Sequence, residues 1–203
     1  MTAVPRLLDL SESTEAVTTL LCDAFAEYPV MRYVAGDGGD YAARLRTLIE
    51  FFVANRVLHG GPIFTISDGP NLTGAALCTL PGAAAPPEAL EGVRQKTWAA
   101  LGADARERYD DCLRGWGPLG VDEPNVHLNI LAVPPRYQGR GLGRVLAERV
   151  HALSLEHPES RGVTLTTEDP ANVALYQHLG YRVVGRGQIA PGIQTWGLWR
   201  PDV

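Results

Sequence analysis

Three glycines alternate in the segment Gln138-Gly139-Arg140-Gly141-Leu142-Gly143, which lies between an apolar run and a helical pattern. Glycine at such positions lets a backbone turn sharply and approach a ligand closely. The free N–H groups and positive dipole end of the helix that follows favour a phosphate or pyrophosphate. Arg136, Arg140 and Arg144 add cationic groups. The phosphate ligand is narrowed by spacing. A Walker loop requires GxxxxGK[ST], which is absent. A dinucleotide turn requires GxGxxG, but Arg144 stands three residues after Gly141, so the third glycine is misplaced.

The pattern Gln138-x-x-Gly141-x-Gly143, with the downstream Asn172-x-x-x-Tyr176-x-x-x-Gly180-Tyr181, resembles the acyl-coenzyme A site of the GNAT superfamily of acetyltransferases. Within it, Ala24-Phe25-Ala26-Glu27-Tyr28-Pro29, Tyr137 to Gly143, Leu175 to Tyr181 and Thr195-Trp196 are most similar to puromycin N-acetyltransferase-type members. Such members often carry an acid on the fifth strand, where this chain has Thr166. The resemblance implies an α/β fold: a mixed, mostly antiparallel sheet splayed between its fourth and fifth strands, with helices on both faces. It also implies transfer of an acetyl group from acetyl-CoA directly to a primary amine of a small molecule or peptide, without a metal. Leu131, Ala132 and Val133, then Gln138, Gly139, Arg140, Gly141, Leu142, Gly143 and Arg144, and finally Asn172, would bind the cofactor. A backbone N–H at a strand bulge near Leu131 would polarise the thioester carbonyl.

Tyr176 would be the general acid, since a phenol with an ordinary pKa of about 10 holds its proton at neutral pH. His127 would be the base, an imidazole titrating near about 6.5. Tyr28 would line the acceptor pocket. Each has a plainer reading: Tyr176 and Tyr28 as packed aromatics, Asn172 as part of a helix start, and His127 as a strand-end residue. A catalytically silent acyl-CoA sensor or interaction module is the alternative to an enzyme. The acceptor's identity, the acyl-chain preference and the oligomeric state stay open, a homodimer being common among relatives.

The elements that must position these residues follow from periodicity. Arg6 to Leu10 reads as a strand, with Ser11 and Ser13 as helix caps. Val17, Leu20, Leu21, Ala24 and Phe25 form one helical face that Pro29 ends. A second helix runs from Asp40 through Tyr41, Leu45, Leu48, Ile49 and Phe52 to Gly60. Strands follow at Ile63–Ile66 and Leu72–Leu80, then Pro-rich chain and a helical insertion around 84–120, interrupted by Gly92 and Gly102. Leu128–Val133 is a strand, Leu142–His157 a helix and Val163–Thr166 a strand. A helix capped by Asp169-Pro170 stops at Gly180, and strands at Tyr181–Val184 and Ile193–Leu198 close the pattern.

All of this fits one domain of 203 residues, 45% hydrophobic and 20% charged. No apolar run reaches the roughly 20 residues a membrane helix needs, and Met1–Arg6 lacks a signal-peptide pattern, so a cytoplasmic protein is expected. Cys22, Cys78 and Cys112 are too scattered for a disulfide framework or zinc knuckle. A net charge of −5 argues against a nucleic-acid partner.

Overall fold

The computed structural model describes residues 3–8, 14–83 and 87–202. Seven strands form one sheet in the order β1-β2-β3-β4-β5-β7-β6. They are β1 (Arg6–Leu7), β2 (Ile63–Asp68), β3 (Asn71–Thr79), β4 (Val126–Ala132), β5 (Gly162–Thr167), β6 (Arg182–Ala190) and β7 (Ile193–Pro201). Every neighbouring pair is antiparallel except β4 and β5. That parallel pair requires a crossover, which α6 (Leu142–Glu156) provides. β4 and β5 pair only at Val126–Val163 and His127–Thr164, so the sheet is splayed beyond that point.

Both faces of the sheet are covered, and period-two alternation divides its side chains between two cores. Ile63, Ala75, Leu77, Ile130 and Ala132 face α1 (Glu15–Phe25), α2 (Pro29–Ala35) and α3 (Tyr41–Leu58). Phe64, Ala76, Cys78, Val126, Leu128, Val163 and Leu165 face α6 and α7 (Pro170–His178). Between β3 and β4 lie α4 (Glu88–Leu101) and α5 (Ala103–Trp116), then a 3-10 turn at Gly117–Leu119. Trp98 and Tyr109 lie with ring centroids 5.1 Å apart and sit on Phe51 of α3 at 5.6 and 5.9 Å, which fastens the helical insertion to α3.

Pro29 begins a helix instead of only ending one. Its fixed φ suits the first helical position, and α2, which the periodicity does not reveal, starts there. Gly92 sits inside α4, whereas Gly102, at φ +86°, separates α4 from α5. Strands β6 and β7 run well past Val184 and Leu198. Gly185, Gly187 and Gly197 lie within these strands and leave room for neighbouring elements. A Cβ on Gly185 would meet Leu119 Cδ2 at 2.8 Å, and one on Gly197 would meet the Leu119 carbonyl oxygen at 2.6 Å. The expected caps Ser11 and Ser13, and the strand residues beyond Leu8, lie outside the described residues.

Candidate active site

Register decides where β4 aims its side chains. Cys78 pairs with Leu128 and Leu77 with Ile130, leaving Asn129 as an extra, bulged residue. The bulge resets the alternation. Val126 and Leu128 point to the α6 side, whereas Ile130 and Ala132 point to the α1–α3 side. The irregularity expected near Leu131 is thus two residues earlier. Beyond it, the edges of β4 and β5 that face each other carry no further ladder pairs, leaving backbone polar groups in need of partners.

A cavity of about 280 Å³ opens in this splay. Its wall includes His127, Asn129 and Leu131 from β4, Leu165 to Glu168 from β5 and its end, and Asn172 and Tyr176 from α7. The α1–α3 side contributes Tyr28, Asn55 and Arg56, and α5 contributes Trp116. His127, Tyr176, Tyr28, Leu131 and Asn172 are therefore gathered in one space. Ala132 is turned into the core, and the residues from Val133 to Arg144 stand outside the cavity wall.

The glycine loop has its own geometry. Gly139 and Gly141 take φ +74° and +76°, which a residue with a Cβ adopts only under strain. Gln138 Nε2 donates to the Val133 carbonyl (3.0 Å) and fixes the loop's entry. Six consecutive backbone N–H groups, Gly139 to Arg144, donate to nothing among the described residues. Such a run before a helix is a nest for an anion. Arg144 is paired with Glu148 (2.7 Å) and Arg136 with Asp23, whereas Arg140 lies over the Tyr137 ring at 5.4 Å.

Tyr176 is buried among apolar side chains, which pushes its phenol pKa well up. Its hydroxyl makes no hydrogen bond to a described residue and borders the cavity, so its proton is available to a ligand. Asn172, one turn earlier on the same helical face, donates to Thr167 Oγ1 at 3.4 Å.

His127 is held by its other nitrogen. The Thr164 hydroxyl donates to Asn125 Oδ1 (2.5 Å), so Thr164 Oγ1 accepts from His127 Nδ1–H (2.9 Å). This network assigns the Nδ1–H tautomer and leaves the Nε2 lone pair unclaimed by described residues. Burial, reinforced by the Arg56 guanidinium, lowers its pKa to about 4. The ordinary titration near 6.5 expected for it is thereby corrected: the ring is neutral throughout the neutral range.

Two charged groups escape sequence reading. Glu168, the residue after β5, is buried with Oε1 accepting from Trp116 Nε1 (2.8 Å) and Thr195 Oγ1 (2.7 Å). Its Oε2 accepts from Tyr28 Oη (3.0 Å), which in turn accepts from the Glu168 backbone N–H (2.9 Å). Burial pushes the Glu168 carboxyl pKa up and these donors oppose it. Arg56, also buried, donates to Thr79 Oγ1, to Asn55 Oδ1 (3.4 Å) and to the Cys78 carbonyl (3.5 Å). Burial lowers its pKa. A charged residue on the otherwise apolar stripe of α3 is the sequence signal for Arg56. Glu168 has a subtler one, an acid directly after the strand and just before the Asp169-Pro170 helix start.

Comparison with known proteins agrees with this architecture. A family model described as "Acetyltransferase (GNAT) domain" matches residues 108–197. The peptidyl-lysine N-acetyltransferase YjaB of Escherichia coli (strain K12) is 31% identical over 104 residues, covering 44% of this chain and 68% of that protein. A histone acetyltransferase HPA2 and related acetyltransferase from Corynebacterium glutamicum superposes with a TM-score of 0.69 at 18% identity, over 100% of this chain and 98% of that one. The ribosomal-protein-S18-alanine N-acetyltransferase from Escherichia coli gives 0.54 at 16% identity, over 98% and 94%. With that sequence likeness, and with the splayed sheet, the run of unclaimed N–H groups and the cavity between β4 and β5, the chain belongs to the GNAT family of N-acetyltransferases.

Proposed function

We propose that the protein transfers the acetyl group of acetyl-CoA to a primary amine by direct attack within a ternary complex. The observation that carries this reading is the run of six unclaimed N–H groups from Gly139 to Arg144 next to a slot between unpaired strand edges. Donors of that kind fit a pyrophosphate, and the slot fits an extended amide-bearing arm. Acetyl-CoA, when bound, supplies the activated thioester.

The chain's own residues would do the rest. The loop from Gln138 to Arg144 holds the phosphates, and the backbones of Leu131, Ala132 and Val133, with Asn172, hold the arm. The Leu131 N–H polarises the carbonyl. His127 Nε2 takes the amine's proton, and the Tyr176 hydroxyl gives one to the departing thiolate. Tyr28 lines the acceptor side. Among family members we place the chain nearest the puromycin N-acetyltransferase type, on the segments around Tyr28, Gln138 and Tyr176. Amines of small molecules or peptides are the acceptors; YjaB acts on peptidyl lysine by its name, which supports a primary amine.

The test is a screen of amines for acetyl-CoA-dependent thiol release, with calorimetry of acetyl-CoA binding to wild type and Gly141→Val. A valine at φ +76° strains the loop and crowds the nest, so affinity falls at least about tenfold, about 1.4 kcal/mol. Unchanged affinity in a folded variant removes the loop from the cofactor site, and a silent screen with intact binding supports an acyl-CoA sensor instead.

A further inference from the structure

The acceptor side of the cavity is electrically graded. His127 and Thr164 share a hydrogen bond on one sheet face, Thr166 follows on that face at the period of two, and Glu168, one residue past the end of β5, lines the same cavity. From Thr164 to Thr167 is about 10 Å at roughly 3.3 Å per residue, and Glu168 is the next residue on. One end carries Arg56, which forms no ion pair with a carboxylate among the described residues. The other carries Glu168, which forms no ion pair with Arg, Lys or His among them.

The surroundings of Glu168 define what it lacks. Trp116 Nε1 can only donate, and the Tyr28 and Thr195 hydroxyls donate as well, so the set is arranged for a carboxylate acceptor. These neutral donors lower the cost of burying the anion but leave its charge uncancelled. Two bonds go to Oε1 and one to Oε2, which leaves acceptor capacity on Oε2. At the far end, the Arg56 charge that lowers His127 also opposes an ammonium there and favours the neutral, nucleophilic amine.

We propose that Glu168 is the counter-charge for a second, standing cation on the acceptor, so that diamines and other amines with a remote positive charge are preferred. The proposal rests on the acetyltransferase reading, in which His127 marks the reacting nitrogen. Glu168 is then a binding residue that selects the acceptor, and it takes no part in proton transfer.

The experiment compares cadaverine, pentylamine and ω-aminopentanoate as acceptors, by kcat/KM for thiol release, in wild type and Glu168→Gln. The amide keeps a carbonyl for Trp116 and Thr195. Wild type should favour cadaverine over pentylamine by at least about tenfold, and Glu168→Gln should bring that ratio to about one. Equal rates for the two amines in wild type overturn the proposal. So does a ratio that persists in Glu168→Gln, or a preference for ω-aminopentanoate, which would place an anion at Arg56 and the reacting ammonium at Glu168. Should Glu168→Gln fail to fold, the wild-type series alone decides. If no amine is acetylated the transferase reading fails separately, and calorimetry of cadaverine against pentylamine on the coenzyme A complex then settles the cation site.

Discussion

The chemistry assigned to His127 and Tyr176 turns on what burial does to an imidazole and a phenol. Burial disfavours the charged form of each, so it lowers the histidine and raises the tyrosine. A neutral His127 and a protonated Tyr176 are then both in their working forms across the neutral range. With the folded histidine at about 4, kcat at saturating acceptor should stay flat from pH 7 to 5 and fall only as pH approaches about 4. A limb near pH 6.5 that vanishes in His127→Gln would show the ring to be far better solvated than the structure has it. A profile identical in wild type, His127→Ala and His127→Gln would remove it from proton transfer. Tyr176→Phe keeps the ring's packing and removes only the hydroxyl. We expect kcat to fall by about 10²–10⁴-fold with acetyl-CoA affinity retained, and a change within about threefold would make the phenol dispensable as an acid.

At the scale of elements, the site depends on α5 lying flat on the β6–β7 ribbon, which carries Trp116 to Glu168. Glycines make that seat. Gly197 leaves room for the Leu119 carbonyl, and Gly115 sits so close that a Cβ there would meet Ile189 Cγ1 at 2.9 Å. Gly197→Ala therefore pushes the Gly117–Leu119 turn off β7. A loss of about 1–3 kcal/mol in urea unfolding is expected, with KM for the acceptor rising more than KM for acetyl-CoA. Equal stability would mean the turn yields freely. This seat also explains what periodicity could and could not reveal. The glycine loop, Asp169-Pro170 and the strand through Leu128 are local signals: Asp169 Oδ1 does accept from the Ala171 N–H, at 2.9 Å. Gly185 and Gly197 make room for Leu119, which is distant in sequence, so nothing local marks that β6 continues past Val184. Glu168 escapes sequence reading for the same kind of reason. Its three partners, Tyr28, Trp116 and Thr195, come from three remote elements, and only folding brings them together.

For the molecule as a whole, histidine burial couples the fold to acidity. His127 lies beside Arg56 at the start of the splay. His151 on α6 bonds Tyr181 Oη through Nε2 at 2.9 Å beneath the β6–β7 side. Burial first, then a nearby arginine in each case, lowers both to about 4. An unfolded chain takes up these two protons near pH 6.5, whereas the folded one resists them until about pH 4. The unfolded state thus binds more protons between those values, so stability rises with pH across the window and is lost as pH falls through it. Each histidine contributes on the order of 1–3 kcal/mol, the lower part being appropriate where the cavity admits water to His127. Urea titrations at pH 7 and pH 5 should show the protein clearly weaker at the lower value. The difference should shrink by roughly half in His151→Gln, which carries no titrating proton but keeps a group able to bond Tyr181. A stability that is flat between pH 7 and pH 5 in wild type would mean that both rings charge in place, with water reaching each of them in the folded protein. The acetyl-CoA complex offers a second reading of the same coupling. A ligand filling the cavity next to His127 further excludes water from that ring but not from His151, so bound wild type should lose more stability than free protein only below pH 5, where the free ring starts to charge near about 4 and the covered one does not, and His127→Gln should lose that extra dependence.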